Sequence, residues 1–173
     1  MNKKNILFKS DRILYVKISE NLINDYLKMV NNPNISKYLF KEIKTFTYED
    51  EVNWVNEKLE ENAEIFSMLE KDTNNFIGNI ELMNLENNSA EIGICITEDF
   101  QNNHYGFEAL KTIINHAFTT LNLNELTLTV FSFNERAIHC YKKLGFTIFK
   151  IDKNVAIIDN QPVDDVHMKL LKK

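Results

Sequence analysis

The feature that most constrains the fold is a change of hydrophobic period in the middle of the chain. From Ala90 to Thr97 residues alternate strictly, with Ile92, Ile94 and Ile96 on one side and Glu91, Gly93 and Cys95 on the other. That is the period of a strand. A polar stretch, 98–105, then leads to Gly106 and a run in which Phe107, Leu110, Ile113, Ile114, Ala117, Phe118 and Leu121 recur at helical spacing. A second strand pattern, 125–131, follows at once. Strand, crossover helix and strand in that order are expected to pair in parallel, which requires a mixed sheet with helices on its faces.

The flanking segments extend the same sheet. Ile13 to Ile18 reads as a first strand, and Ile23, Tyr26, Leu27 and Val30 mark a helix that Asn31-Asn32-Pro33 stops. Thr47 and Asp50 have capping-box spacing, and the helix after them would bury Tyr48, Val52, Val55 and Leu59. Strands are expected at 63–70, 76–85 and 90–97. A short helix, 135–143, closes at Gly145 as a left-handed cap, and a hairpin of 146–158 and 163–171 ends the chain. The predicted order is β-α-α-β-β-β-α-β-α-β-β. No linker or repeat divides it, so one α/β (α+β) domain is expected over 1–173.

Composition removes several classes of function. With 25 acidic against 20 basic residues, the chain lacks the basic footprint that nucleic-acid binding needs. Lys3 and Lys4, and Lys169, Lys172 and Lys173, read as solvated ends. Two cysteines, Cys95 and Cys140, are too few and too far apart for a disulfide framework or a zinc site, which predicts a reducing compartment and no metal. Met1 to Phe8 lacks a secretory apolar region and no apolar run approaches membrane-spanning length, so a cytoplasmic protein without membrane contact is expected.

The chemistry gathers where the alternating strand meets the long helix. A strand, a polar loop and a helix start turn backbone N–H groups and the positive end of the helix dipole outwards, which suits a pyrophosphate. Two ordered motifs sharpen this. Glu91 to Ile96 followed by Gln101-Asn102-Asn103-His104-Tyr105-Gly106-Phe107 resembles the acetyl-CoA motif of the GNAT acetyltransferases, Gln/Arg-x-x-Gly-x-Gly/Ala at a helix N-terminus. Asn134, Ala137, Tyr141, Gly145 and Phe146 match the family's other signature, Asn-x-x-Ala-x-x-x-Tyr-x-x-x-Gly-Phe. The resemblance runs from about residue 10 to the C-terminus, and its first half is similar to the ribosomal-protein and spermidine acetyltransferase branch.

The resemblance implies a GNAT fold: a mixed, mostly antiparallel sheet flanked by helices, with one parallel strand pair splayed to admit acetyl-CoA. It implies that Ile94, Cys95 and Ile96 offer backbone groups to the pantetheine arm. Gln101, Asn102, Asn103, His104, Tyr105, Gly106 and Phe107 would surround the pyrophosphate, and Asn134 would touch the cofactor. Tyr141 would protonate the departing thiolate, a task suited to a phenol with an ordinary pKa near 10. An amine would attack the thioester directly, with a backbone N–H of the 94–96 strand holding the oxyanion and no covalent acetyl-enzyme.

His104 departs from the motif, which has Gly there. A His can adopt positive φ there at a cost of about 1 kcal/mol or more, and its ring could also donate to a phosphate. Glu91 is either a base acting through water, as in some relatives, or a solvated strand residue. His116, His139 and His167 read as surface or structural, and Cys140 as a small buried hydrophobe. The acidic run Glu49-Asp50-Glu51, with Glu57, Glu60, Glu61 and Glu64, is a solvated helix face or a landing site for a polyamine or basic peptide. The expected acceptor is a small-molecule amine: a polyamine, amino sugar or aminoglycoside. A protein N-terminal amine and a non-catalytic acyl-CoA-binding module stand as alternatives, and association into a homo-oligomer is left open.

Overall fold

The architecture is a single twisted sheet with helices on both faces, seen in a computed structural model that describes residues 6–42 and 44–173. Lys3 and Lys4 lie outside the described residues. The strands are β1 (Ile6–Lys9), β2 (Ile13–Lys17), β3 (Glu64–Glu70), β4 (Phe76–Glu86), β5 (Ser89–Ile96), β6 (Glu125–Phe131), β7 (Thr147–Ile158) and β8 (Gln161–Leu171). They lie in the order β1-β2-β3-β4-β5-β6-β8-β7. Among the described residues only β5 and β6 are parallel neighbours. The helices are α1 (Ile23–Val30), α2 (Pro33–Ser36), α3 (Tyr48–Glu60), α4 (Tyr105–Asn115) and α5 (Glu135–Lys143). Among the described residues no helix is long and apolar enough to cross a membrane.

Local chemistry explains most boundaries. The capping box is present at α3, where Asp50 N donates to Thr47 Oγ1 and Thr47 N donates to Asp50 Oδ2, satisfying two donors that the helix would leave orphaned. Both tight hairpins turn on paired left-handed residues, Asn87 and Asn88 for β4–β5 and Asp159 and Asn160 for β7–β8. Such turns match the twist of the strands they join. Gly145 ends α5 at a φ of +97°.

The sheet's two faces bury two cores. Ile80, Leu82, Ile92, Leu126, Leu128 and Met168 pack with Ala109, Leu110, Ile113 and Ala117 of α4 and its continuation. On the other face Val16, Ile18, Ile65 and Leu69 pack with Ile23, Tyr26, Met29 and Val55 of α1 and α3. The alternation read for 90–97 holds: Ile92, Ile94 and Ile96 face α4, and Cys95 faces the α1–α3 core.

Four expectations need correction. The edge strand β1 was not predicted, since its four residues are mostly exposed and too short to show a period. A one-turn helix, α2, follows α1, because Asn32 caps it and Pro33 occupies its first turn. Tyr48 is 54% exposed rather than buried, and the buried polar residue of α3 is Glu51. Phe107 is also exposed, at 37%; it begins α4 and borders a cavity instead of the core. Past Asn115 the helix widens to a π-turn over His116–Thr120, so the apolar stripe drifts from ideal helical spacing.

Candidate functional site

The parallel pair comes apart. Ser89, Ala90 and Glu91 pair with Glu125, Leu126 and Thr127, while β6 continues along β8 to the Phe131–Asp165 pair. The far half of β5, 92–96, therefore lacks a neighbour on that side. Thr97 N donates to Ile77 O on β4, and peptide groups of successive strand residues point in opposite directions. Residues 93, 95 and 97 thus send their N–H and C=O towards β4, and 92, 94 and 96 send theirs into the gap. This corrects one expectation: of Ile94, Cys95 and Ile96, the backbone of Cys95 serves β4. The Ile96 carbonyl already accepts from Gln101 Nε2 at 2.9 Å. Facing the gap are the N–H and C=O of Ile94 and the N–H of Ile96.

Below the gap the loop before α4 is a concave run of backbone. Asn102 and His104 both adopt left-handed φ, 61° and 63°, so His104 meets the backbone demand expected where the motif has Gly. Alternating left-handed residues at a helix start turn successive N–H groups inwards, an anion-binding shape. Gln101 Oε1 and Asn102 Oδ1 accept from Arg136 Nη2 and Nη1 at 2.9 and 3.0 Å, tying α5 to the loop. Asn103 and Tyr105 lie on its outer side. The Asn103 carbonyl accepts from Arg12, and the Tyr105 ring sits under the Arg12 guanidinium with its hydroxyl donating to Glu70. Neither borders the cavity, unlike Gln101, Asn102, His104, Gly106 and Phe107.

Two cavities meet at the gap. One, of about 390 Å³, lies over the loop and the N-terminal ends of α4 and α5. Its lining includes Arg136, Lys143, His104 and His139 and contains no carboxylate among the described residues. The other, of about 770 Å³, lies between α1, α3 and the sheet, and is lined by Asp50, Glu51, Glu57, Glu81 and Glu91 against the lone lysine Lys44. Tyr38, Leu39, Ile94, Cys95, Asn134 and Tyr141 border both. A cavity lined by basic side chains and one lined mainly by acidic ones therefore share one wall.

Tyr141 stands in that wall. Its ring is 8% exposed and meets Phe146 edge to face. Burial, with Cys140 beside it, holds its phenol well above the ordinary value, so it remains a proton donor at any ordinary pH. Asn134 accepts from Ala137 N as the cap of α5 and borders both cavities. Burial pushes the Cys95 thiol up to about 12, and the Cys140 thiol is raised for the same first reason. Neither is an activated nucleophile.

Sequence reasoning missed Arg136 and Glu81, and named Glu51 only within the acidic run expected to be a solvated helix face or a landing site for a polyamine or basic peptide. Arg136 sits in the first turn of a helix, where the dipole disfavours a cation, and that misplacement was a readable sign of a local task. Glu51 and Glu81 carry raised pKa values, mainly through burial, with Asp50 and Glu91 respectively adding repulsion. Their convergence depends on α3 folding over β4, which no local pattern encodes. His139, read as surface or structural, borders the basic cavity. His116 does fit that reading, stacking on Phe8.

Comparison with known proteins agrees with this geometry. A family model described as an acetyltransferase (GNAT) domain matches residues 12–147. Spermidine N(1)-acetyltransferase of Vibrio cholerae is 32% identical over 119 residues, 67% of this chain and 68% of that protein. Spermidine N(1)-acetyltransferase of Escherichia coli K12 is 38% identical over 73 residues, 41% of this chain and 39% of that protein. Among solved structures, spermidine N-acetyltransferase from Vibrio cholerae in complex with CoA and spermine aligns with a TM-score of 0.85 at 24% identity, covering 94% of this chain and 96% of that one.

Proposed function

The chain belongs to the GNAT acetyltransferase family, and from that premise we propose that it moves the acetyl group of acetyl-CoA to a primary amine of a polyamine. The observation that carries this reading is the pair of oppositely charged cavities that meet at Tyr141. Phosphates are acids that seek N–H groups and cations, and the basic cavity offers both. A polyamine alternates ammonium groups with methylenes. The acidic cavity supplies five carboxylates beside Tyr26, Met29, Phe46 and Trp54, which suit both parts of such a chain. The spermidine enzymes among its relatives support the same acceptor.

Each residue then has a defined task. Ile94 and Ile96 offer the gap-facing backbone to the pantetheine arm as an added strand would take it, and Asn102, His104 and Gly106 border the phosphates. Gln101 and Arg136 hold the loop in shape. The amine attacks the thioester carbonyl, an N–H in the gap holds the oxyanion, and Tyr141 gives its proton to the leaving sulfur. Glu91, at the rim of the acidic cavity, takes the proton that the amine must lose.

The test is release of free thiol from acetyl-CoA against spermidine, spermine, aminoglycosides, amino sugars and short peptides. Turnover led by the polyamines is expected. Preference for peptides would move the reading to protein N-termini, and binding of acetyl-CoA without turnover on any amine would make the chain a binding module. Titration of acetyl-CoA against Arg136→Ala should show affinity about tenfold weaker than wild type, about 1.4 kcal/mol, as the loop that Arg136 braces and the positive charge beside it are lost. Equal affinity would remove Arg136 from the donor site.

A further inference from the structure

Acetylating a cationic amine leaves a proton to dispose of, and a route for that proton has meaning only if the chain acetylates polyamines as proposed. On the α1–α3 face, side chains from four neighbouring strands form a continuous hydrogen-bonded chain leading away from the acidic cavity. Glu91 Oε1 on β5 lies 3.1 Å from Thr129 Oγ1 on β6. The same Thr129 oxygen lies 3.0 Å from His167 Nδ1 on β8, and His167 Nε2 lies 2.9 Å from Asp152 Oδ2 on β7. Asn84 Nδ2 donates to the other Glu91 oxygen at 3.2 Å, and Lys150 Nζ donates to Asp152 at 2.8 Å.

Strand register builds the chain. His167 is the cross-strand partner of Thr129 on one side and of Lys150 on the other. Glu91 and Thr129 border the acidic cavity, while the side chains of His167 and Asp152 are 21% and 40% exposed. The Glu91 end therefore opens on the acceptor site, while the exposed Thr129 and the His167–Asp152 end both meet solvent. A surface histidine does not require a threonine between itself and a cavity carboxylate.

We propose that Thr129 and His167 form a relay that carries the acceptor's proton from Glu91 to solvent. A threonine hydroxyl has one hydrogen and cannot donate to both neighbours at once. With His167 neutral, Nε2–H donates to Asp152 and Nδ1 accepts the Thr129 hydrogen. When Glu91 has taken the amine's proton, its O–H donates to Thr129 Oγ1. That proton then moves to Oγ1 while the original Thr129 hydrogen moves to Nδ1. One O–H bond breaks at Glu91 and forms at Thr129, and one breaks at Thr129 as an N–H forms at His167. The result is an ionised Glu91, an intact hydroxyl that now donates to it, and an imidazolium held by Asp152. The imidazolium releases its Nε2 proton to water at the exposed end; exchange of Nδ1–H for Nε2–H through water and rotation of the Thr129 hydroxyl then restore the starting arrangement.

The charges around His167 are Asp152 and Lys150 on β7, Lys169 and Asp165 on its own strand, and Glu91 beyond Thr129. Asp165 is neutralised by Lys41 at 2.9 Å, and Lys169 lies over the Phe149 ring. Asp152 and Glu91 are thus the anions coupled to the imidazole through hydrogen bonds.

Two measurements on the full chain test the relay. In NMR titrations of the imidazoles, with His167 assigned by its loss in His167→Gln, Glu91→Gln should lower the His167 midpoint by roughly half a pH unit to one unit. Thr129→Val should remove most of that coupling. In kinetics with whichever amine the wild type acetylates, His167→Gln should lower kcat about tenfold near pH 7 with the KM for acetyl-CoA unchanged. His167→Ala should be partly restored by added imidazole, which a merely structural role would not allow. Midpoints unmoved by both substitutions, or wild-type kcat in His167→Gln across the pH range, would overturn the relay. A wild type inactive on every amine overturns the acetyl-transfer reading instead, and the titrations still report whether the chain is coupled.

Discussion

Tyr141→Phe should lower kcat by about two to three orders of magnitude, the usual reach of a positioned general acid, while leaving the KM for acetyl-CoA and the melting temperature nearly unchanged. Its ring packs in the wall between the two cavities, and Phe preserves that packing against Phe146. Burial and the neighbouring Cys140 are what perturb the phenol, and no hydrogen bond contributes. Removing the oxygen therefore orphans no protein partner, and the usual penalty for breaking a buried hydrogen bond does not arise. A structural tyrosine would give the reverse pattern, with stability lost and chemistry kept. Because burial raises its pKa, the hydroxyl should also impose no alkaline limb on the rate below about pH 10. Rates from stopped thiol-release assays, beside melting curves of both proteins, decide the matter. A kcat within threefold of wild type would remove Tyr141 from the chemistry.

How much of the fold and the site was legible in the sequence depends on the range over which each feature is encoded. The period-2 run of β5, the long stripe of α4 and the Thr47–Asp50 cap are written in neighbouring residues, and they appear where expected. So does the splay, through the motif that precedes α4. Motif residues pointed to the shared wall, Asn134 and Tyr141, but motif membership could not say which side chains bind and which brace. Gln101 is spent on the Ile96 carbonyl and Arg136, and Tyr105 on Arg12 and Glu70. The acid-lined cavity and the Glu91–Thr129–His167 chain join residues from strands and helices far apart in sequence. The acidic run of α3 was legible as a candidate polyamine landing site, but its meeting with Glu81 and Glu91, like the hydrogen-bonded chain, exists only once register and helix docking are fixed.

The double variant Glu51→Gln, Glu81→Gln should raise the KM for spermidine by about 30- to 100-fold, since two carboxylate–ammonium attractions of about 1 kcal/mol or slightly more are lost. The KM for acetyl-CoA should stay put, because neither residue borders the basic cavity. Both carboxyls have raised pKa values, chiefly because the fold buries them. A carboxyl whose folded pKa exceeds its unfolded one binds its proton more tightly in the native state. Stability is then lost as pH rises through that range and is not lost below the unfolded pKa. Removing the charges should therefore raise the melting temperature at pH 8 by about 2 to 4 °C, the equivalent of roughly 1 kcal/mol in a domain of this size, with little change near pH 4. Substrate recognition and stability would move in opposite directions, as expected where charge is kept buried for a cationic ligand. In the wild type the same protonation should raise the spermidine KM as pH falls, and added salt should narrow the gap between the two proteins. An unchanged spermidine KM in the double variant, together with a higher melting temperature, would mean that these carboxylates cost stability for some other purpose and that the polyamine does not lie between α3 and β4.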